Sequence, residues 1–470
     1  MGQMFHSFII SLVYNRGMSL KDKIPGYNKL VLPYHLVQAS VAGMKYGFPG
    51  RKMRVIGVTG TNGKTTTCFM LAKILNESGH KTGLLTTVGW GVPGLTKKDI
   101  LNDKGLIPKD NALRGSGGST SDLRVEDGIV RQVEHMTTAD SFTLNRRMKK
   151  IADEGAEFLV LEVTSHALTQ FRTLGIPIEI AVMTNVTHEH LDYHKTFANY
   201  VAAKTKLFKK AHYGVVNADD PSADKFISAV SPREYITYGI NACANLRASR
   251  VKLEASGVKY SCGDINIETQ IPGEFNVYNS LACLAVGRRL GLTDEQIKKG
   301  IYALTSVEGR MNRVNLGQDF EAIVDYAHTP DAFQKVFDSV KAPAKNGRII
   351  SLFGGAGRRD ETTRAERGEI AGKYSNVCII TEDDSRDEDP LEIMDEFREG
   401  CLKAGMKSEQ VLMIPDREDA ISKAISIAKK GDLVLVLGKG HEKTILRADG
   451  PHPFEDLKVT EKAIRNKKAN

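Results

Sequence analysis

Apolar residues along this chain fall into short, nearly continuous runs separated by stretches of helical spacing. That alternation predicts parallel strands with helices on both faces of a sheet. The first runs are VIGVT from Val55, FLVLEV over 158–163 and IAVMTNV over 180–186. After Val307 the pattern returns in EAIVDY (321–326), RIISLF (348–353), NVCIIT (376–381) and DLVLVLG (432–438). Between the two sets, 233–272 reads as a smaller β-rich stretch. The fold class expected is therefore α/β, with a central parallel-sheet domain over 51–306 and a separate Rossmann-like domain over 307–470.

The stretch 1–50 reads as a short helical segment, its helices over 5–14 and 30–48 packing on the first domain, with amphipathic contact with a membrane surface as the alternative. Its longest apolar run, Phe5 to Val13, falls short of the roughly 20 residues of a membrane-spanning helix. No basic leader with a small-residue cleavage site accompanies it. Stable membrane insertion and secretion are not expected, and the location expected is cytoplasmic. Residues 91–133, polar and carrying the Gly115–Ser119 cluster, read as a long mobile loop.

Composition removes several classes. With 470 residues, 41% hydrophobic, 26% charged, 43 Gly and 15 Pro, the chain is neither collagen-like, coiled coil nor disordered. Its net charge of +8 suits an anionic ligand. A single Trp and 7% aromatic residues offer little for stacking bases, so no nucleic-acid partner is expected. Cysteines at 68, 243, 262, 283, 378 and 401 lack zinc-ribbon spacing and read as free thiols in a reducing compartment.

The chemistry begins at GVTGTNGKTT, Gly57 to Thr66, a phosphate-binding loop set between a strand and a helix. Its glycines let backbone N–H groups converge on phosphate oxygens, Lys64 neutralises charge, and the Thr65 hydroxyl can ligate Mg²⁺. Gly60, Thr61, Asn62, Gly63, Lys64, Thr65 and Thr66 form the expected ATP cradle. Agreement of strand, loop, Lys-Thr and helix disfavours a merely structural turn. Glu162 ends an apolar strand where such enzymes keep a carboxylate for Mg²⁺, with the Thr65 hydroxyl as its expected partner. THEHLDYH, residues 187–194, fails the H-E-x-x-H pattern because Asp192 stands four residues after His188. A hard cation beside phosphates suits its carboxylates better than zinc.

Four further strand ends carry polar clusters: DYAHTP at 325–330, GGAGRRD at 354–360, DDSR at 383–386 and GKGHE at 438–442. Open α/β sheets bind ligands at such ends. Opposite charges side by side suit a zwitterionic amino acid.

With GVTGTNGKTTT, LEVTSHAL, TNVTHEHLDYH, NADD, GEFNVYNSLA, GRM, DYAHTPDA and GKGHE in order, the chain resembles the Mur ligases, ATP-dependent amide-bond enzymes of peptidoglycan precursor assembly. The branch it looks most like is the MurE type, which adds the third amino acid to UDP-MurNAc-L-Ala-D-Glu. The resemblance implies that a substrate carboxylate attacks the γ-phosphate of ATP and that an amine displaces phosphate from the acyl phosphate. It implies Mg²⁺ held by Thr65 and Glu162, and a second Mg²⁺ held by His190 and by Lys204 as its carbamate. Lys64, Lys204 and His190 are then the catalytic residues.

By the same resemblance Asn276, Asn279, Arg310, Asp325 and His328 contact the nucleotide, and Thr137, Thr138, Ser165 and Arg172 hold the muramoyl peptide. Arg359, Asp383, Arg386, Gly438 and Glu442 would receive the amino acid. Only about fifty residues precede the phosphate loop, fewer than the uridine-diphosphate-binding domain of full-length members, so either the acceptor is a nucleotide-free or lipid-linked muramoyl peptide, or a partner or the 91–133 stretch supplies that grip. Where diaminopimelate-adding members read D-N-P-R, this chain reads Asp383-Asp384-Ser385-Arg386. Arg386 suits a distal carboxylate, so meso-diaminopimelate is expected over lysine. The competing readings are a folylpolyglutamate- or cyanophycin-type ligase, a nucleic-acid-stimulated ATPase and a degenerate scaffold. DYAHTP with GKGHE argues against the first, and the retained Lys64, Glu162, His190, Lys204 and Asp325 against the last.

Overall fold

The computed structural model describes residues 31–102, 125–131, 138–230, 232–254, 256–341, 347–359 and 361–469. The helix expected over 5–14, Thr137 and much of the 91–133 stretch lie outside the described residues.

Strand β1 (Arg54–Thr59) is buried from Val55 onward. Its neighbours are β6 (Phe158–Glu162) and β7 (Ile178–Met183), both parallel to it, and Val58 stands in register with Glu162. Between β1 and β6 in sequence come β2 (Thr82–Leu85), β3 (Gly89–Gly91), β4 (Val125–Glu126) and β5 (Ile129–Arg131). After β7 come β8 (Ala211–Asn217), β9 (Glu234–Gly239), β10 (Leu246–Glu254), β11 (Gly257–Cys262) and β12 (Ile265–Thr269). Together they make one twelve-stranded sheet in the order β12-β11-β10-β9-β8-β7-β1-β6-β2-β3-β5-β4.

Alternate residues of the central strands feed opposite cores, as the pleat requires. Ile56, Val58, Val160 and Val182 pack towards α2 (Lys64–Glu77), α5 (Phe275–Arg289) and α6 (Asp294–Tyr302). Val55, Leu159, Leu161 and Ala181 join the core on the other face, with α3 (Ser141–Asp153) and α4 (Phe197–Lys210). Helix α1 (Leu32–Tyr46), close to the span expected over 30–48, packs on α3 and ends at Gly47, whose φ of 70° and N–H bonds to Gly43 and Met44 carbonyls close it.

The 91–133 stretch is not wholly a loop. Lys97–Asn102 is a short helix, and β4 and β5 form a hairpin that extends the sheet beside β3. Buried Val130 reaches the same core as Trp90. A hairpin with so few apolar residues has too short a period to be read from sequence.

The second sheet runs β13-β14-β18-β15-β16-β17, from β13 (Asn312–Arg313), β14 (Glu321–Asp325), β15 (Ile349–Phe353), β16 (Val377–Ile380), β17 (Val411–Met413) and β18 (Leu433–Leu437). All its pairings are parallel except β13 with β14. Helices α7 (Pro330–Lys341), α8 (Arg364–Tyr374) and α9 (Pro390–Lys403) cover one face; α10 (Arg417–Ile427) and α11 (Asp456–Ala469) cover the other. A small hairpin, β19 (Thr444–Arg447) with β20 (Gly450–Pro453), follows β18. Arg417 and Asp456, both fully buried, are joined at 2.7 Å and fix α11 to α10.

Candidate active site

The phosphate loop leaves β1 and enters α2 through two glycines that nothing larger could replace in place. At Gly60 (φ 153°) an added Cβ would lie 1.9 Å from the Thr184 hydroxyl, and at Gly63 (φ 83°) 2.5 Å from the Asn279 amide oxygen. No side chain caps the start of α2, so its first N–H groups face outward for an anion. Asn185 holds the loop from below: its side chain accepts from the Asn62 N–H and donates to the Asn62 carbonyl, both at 3.0 Å. Lys64 folds back to donate to the Thr61 carbonyl at 2.6 Å.

Thr65 donates its hydroxyl to Glu162 at 3.0 Å. The Thr87 N–H and hydroxyl donate to the same carboxylate at 3.0 and 3.1 Å, which aims it at the loop. Lys204, on α4 and 2% exposed, donates to the Gly60 carbonyl at 2.6 Å. Burial, with Lys64 nearby, pulls its ammonium well below the ordinary lysine value.

A hub that sequence reasoning did not single out is Glu189. Its carboxylate stands 3.6 Å from His190 and 3.4 Å from His328, and accepts from the Tyr200 hydroxyl at 3.3 Å. Burial opposes its ionisation, yet His190, His328 and Lys64 hold it well below the usual carboxylate range. His328 is tied through Nδ1 to the Tyr326 carbonyl at 2.8 Å, so it is the Nε2 side that meets Glu189. The only sequence sign was the position of Glu189 between two histidines.

From the second sheet, Arg310 lies over the Tyr326 ring at 4.6 Å and reaches the Thr65 hydroxyl at 3.4 Å. Asp325 accepts from the N–H groups of Met311 and Ala327, both at 2.7 Å. Burial nevertheless pushes its carboxyl up. Asn276 and Asn279 serve the loop from α5: Asn279 donates to Asn276 at 2.9 Å and accepts from Thr67 at 3.2 Å. One cavity of about 1250 Å³ is lined by Lys64, Thr65 and Glu162 from the first sheet and Arg310, Asp325 and His328 from the second.

Thr138 and Arg172 line the same cavity, with an Arg172 Nη donating to the Thr138 carbonyl. Ser165 lies behind them, bonded to His194 Nε2 at 2.9 Å. Arg359 also reaches the lining. Asp383, Arg386, Gly438 and Glu442 do not line it. They gather around Lys439, a residue the sequence left without a role, whose ammonium touches Asp383, Asp384 and Glu442 at 3.1, 2.7 and 2.8 Å. The three carboxylates approach within 4.8 Å of one another, and Lys439 supplies the cation among them. Burial opposes that charge, but the three acids hold it well above the ordinary lysine value. Arg386 (φ 56°) donates to the Gly357 carbonyl at 2.9 Å. The Glu442 carboxylate also accepts from Tyr326 at 3.3 Å, the bridge between this cluster and the cavity.

Among known proteins, the Mur ligase middle domain matches residues 58–287 and the Mur ligase glutamate ligase domain matches 309–440. A UDP-N-acetylmuramyl-tripeptide synthetase of Roseiflexus sp. is 36% identical over 447 residues, 91% of this chain and 81% of that protein. A UDP-N-acetylmuramoyl-L-alanyl-D-glutamate–2,6-diaminopimelate ligase of Clostridium acetobutylicum is 34% identical, over 89% and 80%. A solved structure of a ligase with that same activity in its name superposes with a TM-score of 0.57 at 28% identity, over 88% of this chain and 79% of that one. Folylpolyglutamate synthase of Mycobacterium tuberculosis superposes with a TM-score of 0.66 at 16% identity, over 86% and 93%, a likeness of fold alone. Two consecutive domain matches and relatives aligned over most of their own length lead to one conclusion: the chain belongs to the Mur ligase family.

Proposed function

We propose that this chain is an ATP-dependent acid–amino-acid ligase that adds the third peptide residue, meso-diaminopimelate, to UDP-MurNAc-L-Ala-D-Glu or a related muramoyl peptide, releasing ADP and phosphate. The observation that carries the reading is a single cavity sharing the phosphate loop of one sheet with Arg310, Asp325 and His328 of the other. In this reading 51–306 binds the nucleotide, 307–470 binds the incoming amino acid, and 1–50 is an accessory helical segment.

The reaction must join two anions, a peptide carboxylate and a γ-phosphate, before an amine can attack. Lys64 and Arg310 reduce that repulsion, and a fixed cavity replaces chance encounter. The carboxylate oxygen attacks phosphorus, ADP leaves, and the amine then displaces phosphate from the acyl carbon. Arg172 and Thr138 orient the peptide acid. Arg386, with Arg359, receives the acidic end of the amino acid.

Thr65 and Glu162 are hard oxygen donors 3.0 Å apart beside the loop, a set that fits Mg²⁺. His190 and Lys204 would hold a second ion, Lys204 as its carbamate. The lowered basicity of Lys204 favours the neutral amine that takes up carbon dioxide and gives up a proton. Bound magnesium supplies charge neutralisation at the phosphate oxygens.

The test incubates the purified chain with ATP, Mg²⁺ and UDP-linked or UDP-free muramoyl dipeptide, with diaminopimelate or lysine. Phosphate should appear only when peptide and amino acid are both present, and faster with diaminopimelate. Phosphate release indifferent to the amino acid overturns the reading.

A further inference from the structure

We propose that the outer face of α1, with the basic residues around its C-terminal end, docks on an anionic lipid surface. Tyr34, Val37, Val41 and Met44 recur at intervals of three, four and three, so they share one face of the helix. They are 47%, 62%, 42% and 63% exposed. The opposite face, against α3, is made of the buried small residues Ala39, Ala42 and Gly43. A helix of a water-soluble surface has the reverse arrangement, with large apolar residues inward.

The last turn of α1 and the turn that follows it are cationic. Lys45, Arg51 and Lys52 are exposed. Two of them are backed by rings, Lys45 at 5.7 Å from Phe142 and Arg51 at 4.6 Å from Phe48. From Val31 to Met53 the chain carries these three basic residues and no acidic one. Basic charge beside an apolar stripe matches an anionic bilayer, which offers both a negative surface and an apolar phase. Nucleic acid offers only the first. No helix among the described residues is long and apolar enough to cross a membrane, so α1 would lie along the interface. No residue of α1 lines the large cavity, and the inference does not depend on the ligase reading.

The experiment uses the full chain and the variant Val37→Trp. The only native Trp, Trp90, is 1% exposed, so the new indole reports the stripe. It is expected to shift to the blue and to escape acrylamide quenching with vesicles of phosphatidylcholine and phosphatidylglycerol (about 7:3), and not with phosphatidylcholine alone. In sedimentation with the same vesicles, Lys45→Gln and Lys52→Gln should each lower partitioning roughly fivefold. Met44→Asp should abolish it while leaving thermal unfolding and ATP consumption unchanged. Equal behaviour on the two vesicle types overturns the proposal. So does an indole already shielded without vesicles, because then the chain itself or a second copy covers the stripe. Shielding by duplex DNA as strong as by anionic vesicles would overturn it in favour of a polyanion site.

Discussion

Asn62 in the phosphate loop donates to Asp331 in the first turn of α7 at 2.6 Å, so the loop that would hold the nucleotide is pinned directly to the second sheet's domain. Asp331 also accepts from Lys335 at 2.7 Å, which fixes its carboxylate.

This contact predicts a kinetic effect without a stability effect. Asp331→Ala should lower kcat/KM for ATP roughly three- to tenfold, the scale of one typical net hydrogen bond. Asp331→Asn, which keeps an acceptor, should retain most activity. Steady-state kinetics with a coupled ADP assay, alongside thermal unfolding, would check it; a large drop in unfolding temperature for Asp331→Ala would contradict a latch.

Lys204 should make activity depend on dissolved carbon dioxide. Buried and pulled towards its neutral form, it is suited to reversible carbamate formation. Enzyme purged of carbon dioxide should lose most of its rate and regain it on adding bicarbonate. Lys204→Ala should be inactive under both conditions, and a purged enzyme at full rate would refute the carbamate.

Arg386 and Asp384 should pull acceptor choice in opposite directions. Arg386→Ala should raise KM for diaminopimelate about tenfold while barely changing that for lysine, since only the former offers a distal carboxylate. Asp384→Asn removes one of three acids around Lys439 and should improve the diaminopimelate-to-lysine ratio. Parallel acceptor titrations test both.

Acid should destabilise the first sheet's domain through His166. Burial, then the neighbouring His190 and His194, lowers its pKa from 6.5 to about 2. The folded value lies below the unfolded one, so the unfolded chain takes the proton first. Stability is full above about 6.5 and falls as pH drops towards 2. Between pH 7 and 5 the loss should be about 2 kcal/mol. His166→Gln should flatten that part of the profile in urea unfolding.

Every strand predicted after Val307 lies within a residue of its observed limits, because fully buried parallel strands are written as unbroken apolar runs. The phosphate loop was equally legible, since all its parts are adjacent in sequence. What escaped was assembled from afar. Glu189 acquires its meaning from His328, and Lys439 from two acids some fifty-five residues earlier. For α1 the sequence offered packing on the domain or contact with a membrane surface as alternatives, because periodicity shows that a helix has two faces and not which one the protein turns inward.

The order of the sheet also sets a timetable for synthesis. Thr65 and Glu162 are 97 residues apart, and the other flank of β1 is not made until Ile178–Met183. At ribosomal speeds the finished loop waits roughly 5–20 s for the strand that carries its carboxylate. During that interval β1 is an apolar strand with neither neighbour, and nascent chains halted before residue 178 should be clients of chaperones rather than nucleotide binders.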